Sequence, residues 1–80
     1  MSIIIKPVGL LRSFCKEKLD DQGRIELADM QGRSLEFICN KIGIPLNLIS
    51  LFIVNGRAEK DTYRLHEGDE VKCVAVIGGG

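Results

Sequence analysis

The spacing of apolar and polar residues predicts short strands packed around a single helix. Residues 3–5 are three isoleucines, a β-branched run typical of a first strand, which Pro7 bounds or bends. Residues 24–29 alternate polar and apolar side chains, and this period of two predicts a second strand with Ile25 and Leu27 facing a core. The two strands are compatible with an antiparallel pair at the start of the domain.

The segment between these two strands allows two interpretations. Residues 8–14 either continue the first strand past a bulge or begin a helical turn. Residues 16–22 are mostly charged and precede Gly23, which predicts a solvated surface loop.

One short helix is predicted after Ser34. This serine stands at the N-cap position, where a side-chain oxygen can accept a hydrogen bond from the first turn. Gly43 follows the last apolar position, as a capping glycine does, and Pro45 prevents continuation. The apolar stripe at i, i+3, i+4 and i+7 consists of Leu35, Ile38, Cys39 and Ile42. Because a helix of about two to three turns is unstable alone, we expect this stripe to lie on a sheet.

Three further strands are predicted in the second half of the chain. Residues 49–54 are an apolar run with β-branched members, and Asn55 and Gly56 tolerate the positive φ of a type I′ hairpin turn. Residues 57–59 then form a short return arm. The last strand is predicted over residues 71–77.

The order of elements is therefore strand, strand, helix, strand, short strand, strand. One helix on one face of a mixed sheet of four to five strands is an α+β domain, and this order predicts a β-grasp roll. We predict a single domain over residues 1–77 and a flexible glycine tail over residues 78–80.

Length and charge limit the domain count and the class of partner. A chain of 80 residues and 8.8 kDa has room for one core. Its 11 basic and 11 acidic residues cancel, which argues against binding to nucleic acid or to an anionic membrane. No apolar run approaches the about 20 residues that a bilayer span needs.

The cysteines and the single histidine suggest neither a metal site nor a catalytic set. Cys15, Cys39 and Cys73 are odd in number and widely spaced, without a CxxC pair. We interpret Cys39 and Cys73 as buried apolar residues and Cys15 as a free thiol, which fits a reducing cytoplasm. His66 lies in a polar turn without catalytic neighbours in sequence, so we expect no enzyme active site.

Several short motifs occur together in a specific order. They are Leu11-Arg12, Gly32-x-Ser34, Ile42-Gly43-Ile44-Pro45, Val54-Asn55-Gly56, Leu65-x-x-Gly68-Asp69-x-Val71 and the terminal Gly79-Gly80. In this order the chain resembles the ubiquitin-like sulfur carriers, which include the small subunit of molybdopterin synthase (MoaD) and the thiamine-biosynthesis sulfur carrier (ThiS). The resemblance spans nearly the whole chain and is tightest after residue 50.

The resemblance implies that the chemistry takes place at the C-terminus. A partner similar to ubiquitin-activating enzymes would use ATP to adenylate the carboxylate of Gly80. Sulfur from a donor persulfide would then convert it to a thiocarboxylate for an acceptor synthase subunit, in molybdopterin, tungsten-pterin or thiamine biosynthesis. Gly78 and Gly79 have no Cβ, so they can thread a narrow channel in a partner. The chain itself would bind no cofactor.

Two other functions stay open. The chain could instead modify proteins by conjugation through Gly80, or act as a plain interaction domain.

The surface that binds a partner is a separate prediction. If the last strand turns alternate residues toward the helix, Val74 and Val76 are apolar on the open face beside the tail. We predict that Arg12 and Arg57 flank this surface.

Overall fold

The computed structural model describes residues 2–75 and contains one mixed sheet and one α-helix. The strands are β1 (Ser2–Pro7), β2 (Ile25–Ala28), β3 (Ile49–Val54), β4 (Arg57–Glu59) and β5 (Glu70–Ala75), and the helix is α1 (Leu35–Ile42). Short 3-10 helices cover Gly9–Phe14, Lys16–Lys18 and Leu46–Leu48. The order of elements confirms the α+β prediction.

The sheet order is β2-β1-β5-β3-β4, with β1 and β5 parallel and every other neighbouring pair antiparallel. The last strand therefore lies in the middle, between the first strand and the strand that follows the helix. This arrangement is the predicted β-grasp roll, with five strands. The predicted end of the last strand at Ile77 and the boundary at residue 78 lie outside the described residues.

The helix begins and ends where its sequence predicts. The Ser34 hydroxyl accepts a hydrogen bond from the Phe37 N–H at 3.1 Å. Gly43 has a φ of 90°, and its N–H donates to the Cys39 carbonyl at 2.9 Å. The buried residues of the helix are Leu35, Ile38, Cys39 and Ile42, which confirms the predicted stripe.

The hairpin between β3 and β4 also follows the prediction. Asn55 and Gly56 have φ values of 51° and 85°, as a type I′ turn requires. The turn brings Val54 opposite Arg57.

The structure decides between the two interpretations of residues 8–14. Gly9–Phe14 is a 3-10 helix, and Leu11 within it is completely buried. The thiol of Cys15 is also buried, at 3% exposure, so it belongs to the core with the other two cysteines. Cys15 is a free thiol, as predicted, and Cys39 and Cys73 are buried, as predicted.

None of the helices in the described part of the chain could span a bilayer.

We predict that removing the helix cap destabilises the domain without changing its fold. Ser34→Ala leaves the Phe37 N–H without its acceptor, which should lower the free energy of unfolding by about 1 kcal/mol. Urea denaturation measures this loss. Ser34→Asp restores an acceptor and serves as the control, and a cost equal to that of alanine would contradict the capping role.

Candidate functional site

The candidate site is the end of β5, since this strand leads to the C-terminal glycines. The strand is hydrogen-bonded on both sides, and its last described residue, Ala75, lies opposite Ile49 of β3. The predicted site residues Gly78, Gly79 and Gly80 and the predicted surface residue Val76 lie outside the described residues. The described residues of β5 therefore form the base from which this segment continues.

Three exposed apolar side chains lie in the segment that follows β1, at the same end of the sheet. Since β1 and β5 are parallel, both end there, and the Val8 N–H donates to the Cys73 carbonyl at 2.9 Å. The 3-10 helix that follows β1 exposes Leu10 by 54% and Phe14 by 42%. We call Val8, Leu10 and Phe14 the exit rim. Exposed apolar side chains in a cluster often mark a protein-binding surface.

The face of the sheet away from the helix carries a second apolar group. Val71, Cys73 and Ala75 are buried toward the helix, so Val74 points to the open face and is half-buried there. Its cross-strand neighbour Leu51 is 40% exposed.

Ile53, a partly exposed residue of the same strand as Leu51, extends this group. We call Leu51, Ile53 and Val74 the open-face patch. The prediction that Val74 faces away from the helix is thus consistent with the register.

The structure does not bring Arg57 to this patch. Arg57 lies opposite Val54, a buried residue that faces the helix, and directly opposed residues of an antiparallel pair share a face. Val54 in turn pairs with Val71, near the start of β5, whereas Val74 lies near its end. The prediction that Arg57 flanks Val74 is therefore revised, because the register places Arg57 on the other face.

The basic residues that do share the open face are lysines. Lys72 pairs with Ile53 on one side and with Lys6 on the other. Lys6 also forms an exposed ion pair with Glu70 at 3.1 Å.

The second predicted arginine, Arg12, contacts a neighbouring turn of the chain. Arg12 belongs to the 3-10 helix of the exit rim, so it does lie at the correct end of the sheet. Its guanidinium packs over Gly23, where a Cβ would stand 3.1 Å from one of its nitrogens. Arg12 therefore supports the turn at residues 20–23.

Strand β3 contains a bulge at Ser50 that the sequence did not predict. Ile49 pairs with Ala75 and Leu51 pairs with Val74, so Ser50 is an extra residue in β3. Its hydroxyl donates to the carbonyls of Val74 at 3.3 Å and Ala75 at 3.2 Å. The only available signal was that Ser50 interrupts an apolar run, and this signal is too weak to predict a bulge.

A buried carboxylate fixes the opposite end of β5. Asp69 is 5% exposed and accepts hydrogen bonds from Asn55 Nδ2 at 2.8 Å, the Tyr63 hydroxyl at 2.9 Å and the His66 N–H at 2.9 Å. Asn55 Oδ1 also accepts from the Glu70 N–H at 2.9 Å. This network, which we call the Asp69 network, joins the hairpin turn to the first residue of β5.

Burial alone would raise the pKa of the Asp69 carboxyl, but its hydrogen bonds outweigh burial and lower this pKa below the usual 3.8. Burial and the bond to Asp69 raise the pKa of the Tyr63 hydroxyl. The charged carboxylate and the neutral phenol are thus the forms that the fold stabilises.

The three thiols are not placed for chemistry. Cys39 and Cys73 are both buried in the core, where their mutual hydrogen bonding and burial raise the pKa of Cys73 and the same hydrogen bonding lowers the pKa of Cys39. Burial likewise raises the pKa of Cys15. Since all three side chains are buried in the apolar cluster, away from any reactant, they act as core residues. Within residues 2–75 no group of three metal-ligating side chains could hold a metal ion.

Comparison with known proteins identifies a fold. No protein-family model matches the chain, and no curated protein is significantly similar in sequence. Its structure is similar to the solution structure of Urm1 from Trypanosoma brucei, with a TM-score of 0.65 over 99% of this chain and 95% of that chain. The two sequences are 18% identical, so the likeness shows the ubiquitin-like β-grasp fold.

We predict that the Asp69 network makes stability dependent on pH in the acidic range. Because folding lowers the pKa of Asp69, its contribution is complete above the unfolded pKa near 3.8 and disappears as the pH falls through the lower folded value. Asp69→Asn should cost about 2–3 kcal/mol at pH 7, and the difference from the wild type should shrink below pH about 4.

Denaturant unfolding between pH 7 and pH 2 measures this difference. Asp21, which is exposed, provides the control, since Asp21→Asn should remain close to the wild type throughout. A difference for Asp69→Asn that stays constant with pH would contradict the role of the charge.

Proposed function

We propose that this chain is a ubiquitin-like sulfur carrier whose reactive group is the carboxylate of Gly80. The observation that carries the proposal is the place of β5, the middle strand of a β-grasp sheet, which ends beside exposed apolar side chains and leads to Gly78, Gly79 and Gly80. A diglycine end can approach another protein's backbone closely because it has no Cβ.

In the proposed cycle the carrier supplies an acyl group and partner enzymes supply the catalysis. A Gly80 carboxylate oxygen attacks the α-phosphorus of ATP in an adenylating partner, which releases pyrophosphate and forms an acyl adenylate. The terminal sulfur of a donor persulfide attacks the acyl carbon and AMP leaves. A second thiol then cleaves the resulting acyl disulfide, becomes part of a disulfide itself, and leaves the thiocarboxylate on Gly80.

The thiocarboxylate would pass its sulfur to an acceptor synthase subunit. We place that acceptor in molybdopterin or tungsten-pterin synthesis first and in thiamine synthesis second, following the resemblance in sequence. We place the reaction in the cytoplasm, where a reducing medium keeps the three buried thiols free.

A protein modifier is the second candidate. It would share the adenylation step, and the likeness to Urm1 in fold supports a ubiquitin-like chain of either kind. The two differ in the nucleophile that takes the acyl group, which is sulfur for a carrier and a lysine amine for a modifier.

The intact mass of the protein from the cells that produce it separates these functions. A thiocarboxylate adds about 16 Da, because one oxygen is replaced by sulfur. The same mass reports whether Gly80 is the last residue. A chain lacking Gly79 and Gly80 is the control and should show no addition.

Isopeptide-linked larger species would favour the modifier. If the wild type shows neither the added mass nor linked species, the proposed function is wrong.

We also predict that the open-face patch contributes to partner binding. Leu51→Ser should lower the thiocarboxylate fraction about tenfold or more, since burying a leucine side chain in an interface contributes about 1.5–3 kcal/mol. Phe37 on the helix has nearly the same exposure, 39% against 40%, so Phe37→Ser is a matched control. Equal losses for both variants would contradict a role specific to this face.

A further inference from the structure

Ser50 holds the backbone at the last described residues of β5. Its hydroxyl has one proton, which the carbonyls of Val74 and Ala75 share at 3.3 and 3.2 Å. Among the described residues, Ser50 is the side chain that hydrogen-bonds the backbone of β5 beyond Glu70. The contact therefore acts at the point from which the glycine segment continues.

The bulge is the reason why Ser50 can reach both carbonyls. In a regular antiparallel pair, Ile49 and Leu51 would share a face, because side chains alternate. The extra residue changes this, so Ile49 packs against the core opposite Ala75 while Leu51 stays on the open face opposite Val74. Ser50 is exposed between them and is free to turn its hydroxyl toward β5.

The hydroxyl contributes little to the core itself. Ser50 is exposed and is not a member of the apolar cluster beneath the sheet. Ladders to β1 and β3 already pair the middle of β5 on both sides. The ladder to β1 stops at Cys73, so in the described part of the chain Val74 and Ala75 are paired with β3 alone, and one additional bond there acts on local opening more than on global stability.

A fixed base matters for a segment that must enter a partner. Residues 76–80 span at most about 18 Å when fully extended, so the position of their base limits where the reactive carbonyl can reach. Enzymes lose rate when a reacting atom is displaced by about 1 Å, and each group ordered on binding costs free energy. A base that is ordered in advance reduces both costs.

We propose that Ser50 is a positioning residue for the reaction at Gly80. Its hydroxyl holds the backbone of Val74 and Ala75, so the segment that carries the reactive carboxylate continues from a fixed base. This inference rests on the proposed function, because a positioned tail has a consequence only if Gly80 is activated.

The experiment compares Ser50→Ala with the wild type in two measurements. Hydrogen exchange by NMR on the isolated protein reports the opening of the Val74 and Ala75 amides. Intact mass of the protein from its own cells reports the fraction with about 16 Da added. Ser50→Thr keeps a hydroxyl and tests rescue.

Ser13→Ala is the matched control, because the exposed Ser13 hydroxyl donates to the Leu10 carbonyl at 2.7 Å at the same end of the sheet and makes no bond to β5.

We expect Ser50→Ala to speed exchange at Val74 and Ala75 about fivefold, as the loss of one hydrogen bond allows, with no change at Ile3 and Ile5 in β1. The fraction of thiocarboxylate should fall about twofold to tenfold. Ser50→Thr should restore both values, and Ser13→Ala should alter neither.

Two results would overturn the inference. Unchanged exchange in Ser50→Ala would show that the hydroxyl does not hold the strand end. Faster exchange with a normal thiocarboxylate fraction would show a structural contact without a role in positioning. If the wild-type chain lacks the added mass, the proposed function is wrong. Ser50 then has no role in the reaction, whatever the exchange data show about the strand.

Discussion

The pairing of β5 with both β1 and β3 joins the two halves of the domain. In the described sheet, β2 pairs with β1 and β4 pairs with β3, and each of these hairpins meets the other only through β5. A hairpin alone is marginally stable in water, so the sheet exists because its last strand enters the middle. The same insertion buries Val71 and Cys73 against the helix. The segment that leads to the glycines therefore continues from the central strand of the sheet.

The two ends of this strand are held by different kinds of interaction. At its start, the buried carboxylate of Asp69 bonds to Asn55 and Tyr63 and fixes the hairpin turn against the strand. At its end, the exposed hydroxyl of Ser50 shares one proton between two carbonyls. The first interaction is charged and shielded from water, so it sets stability, whereas the second is exposed and acts locally.

The sheet topology also decides which side chains can form one surface. Because β1 and β5 are parallel, the exit rim follows directly from the end of β1 and lies beside the end of β5. The bulge in β3 leaves Leu51 exposed next to Val74 while Ile49 turns inward. Arg57 is separated from this surface by the pairing register, and Lys6 and Lys72 are the basic residues that share the face.

The sequence by itself determined the elements whose signals are local. The cap at Ser34, the positive φ at Gly43 and the turn at Asn55 each follow from the conformations that one residue can adopt, so they were predicted at the correct positions. The periodic stripe of the helix and the order of strands then determined the β-grasp class. The glycine segment that the proposed function depends on was also found in sequence alone.

Only the tertiary structure decided the features that need two distant segments. The Asp69 network forms because the fold brings the hairpin turn at Asn55 and the loop with Tyr63 against the start of β5. Burial of Cys15 depends on a 3-10 helix that packs on the core. The bulge at Ser50 appears only when β3 is aligned with β5, and the same alignment places Arg57 on the other face. A register belongs to a pair of strands, and one strand's sequence does not contain it.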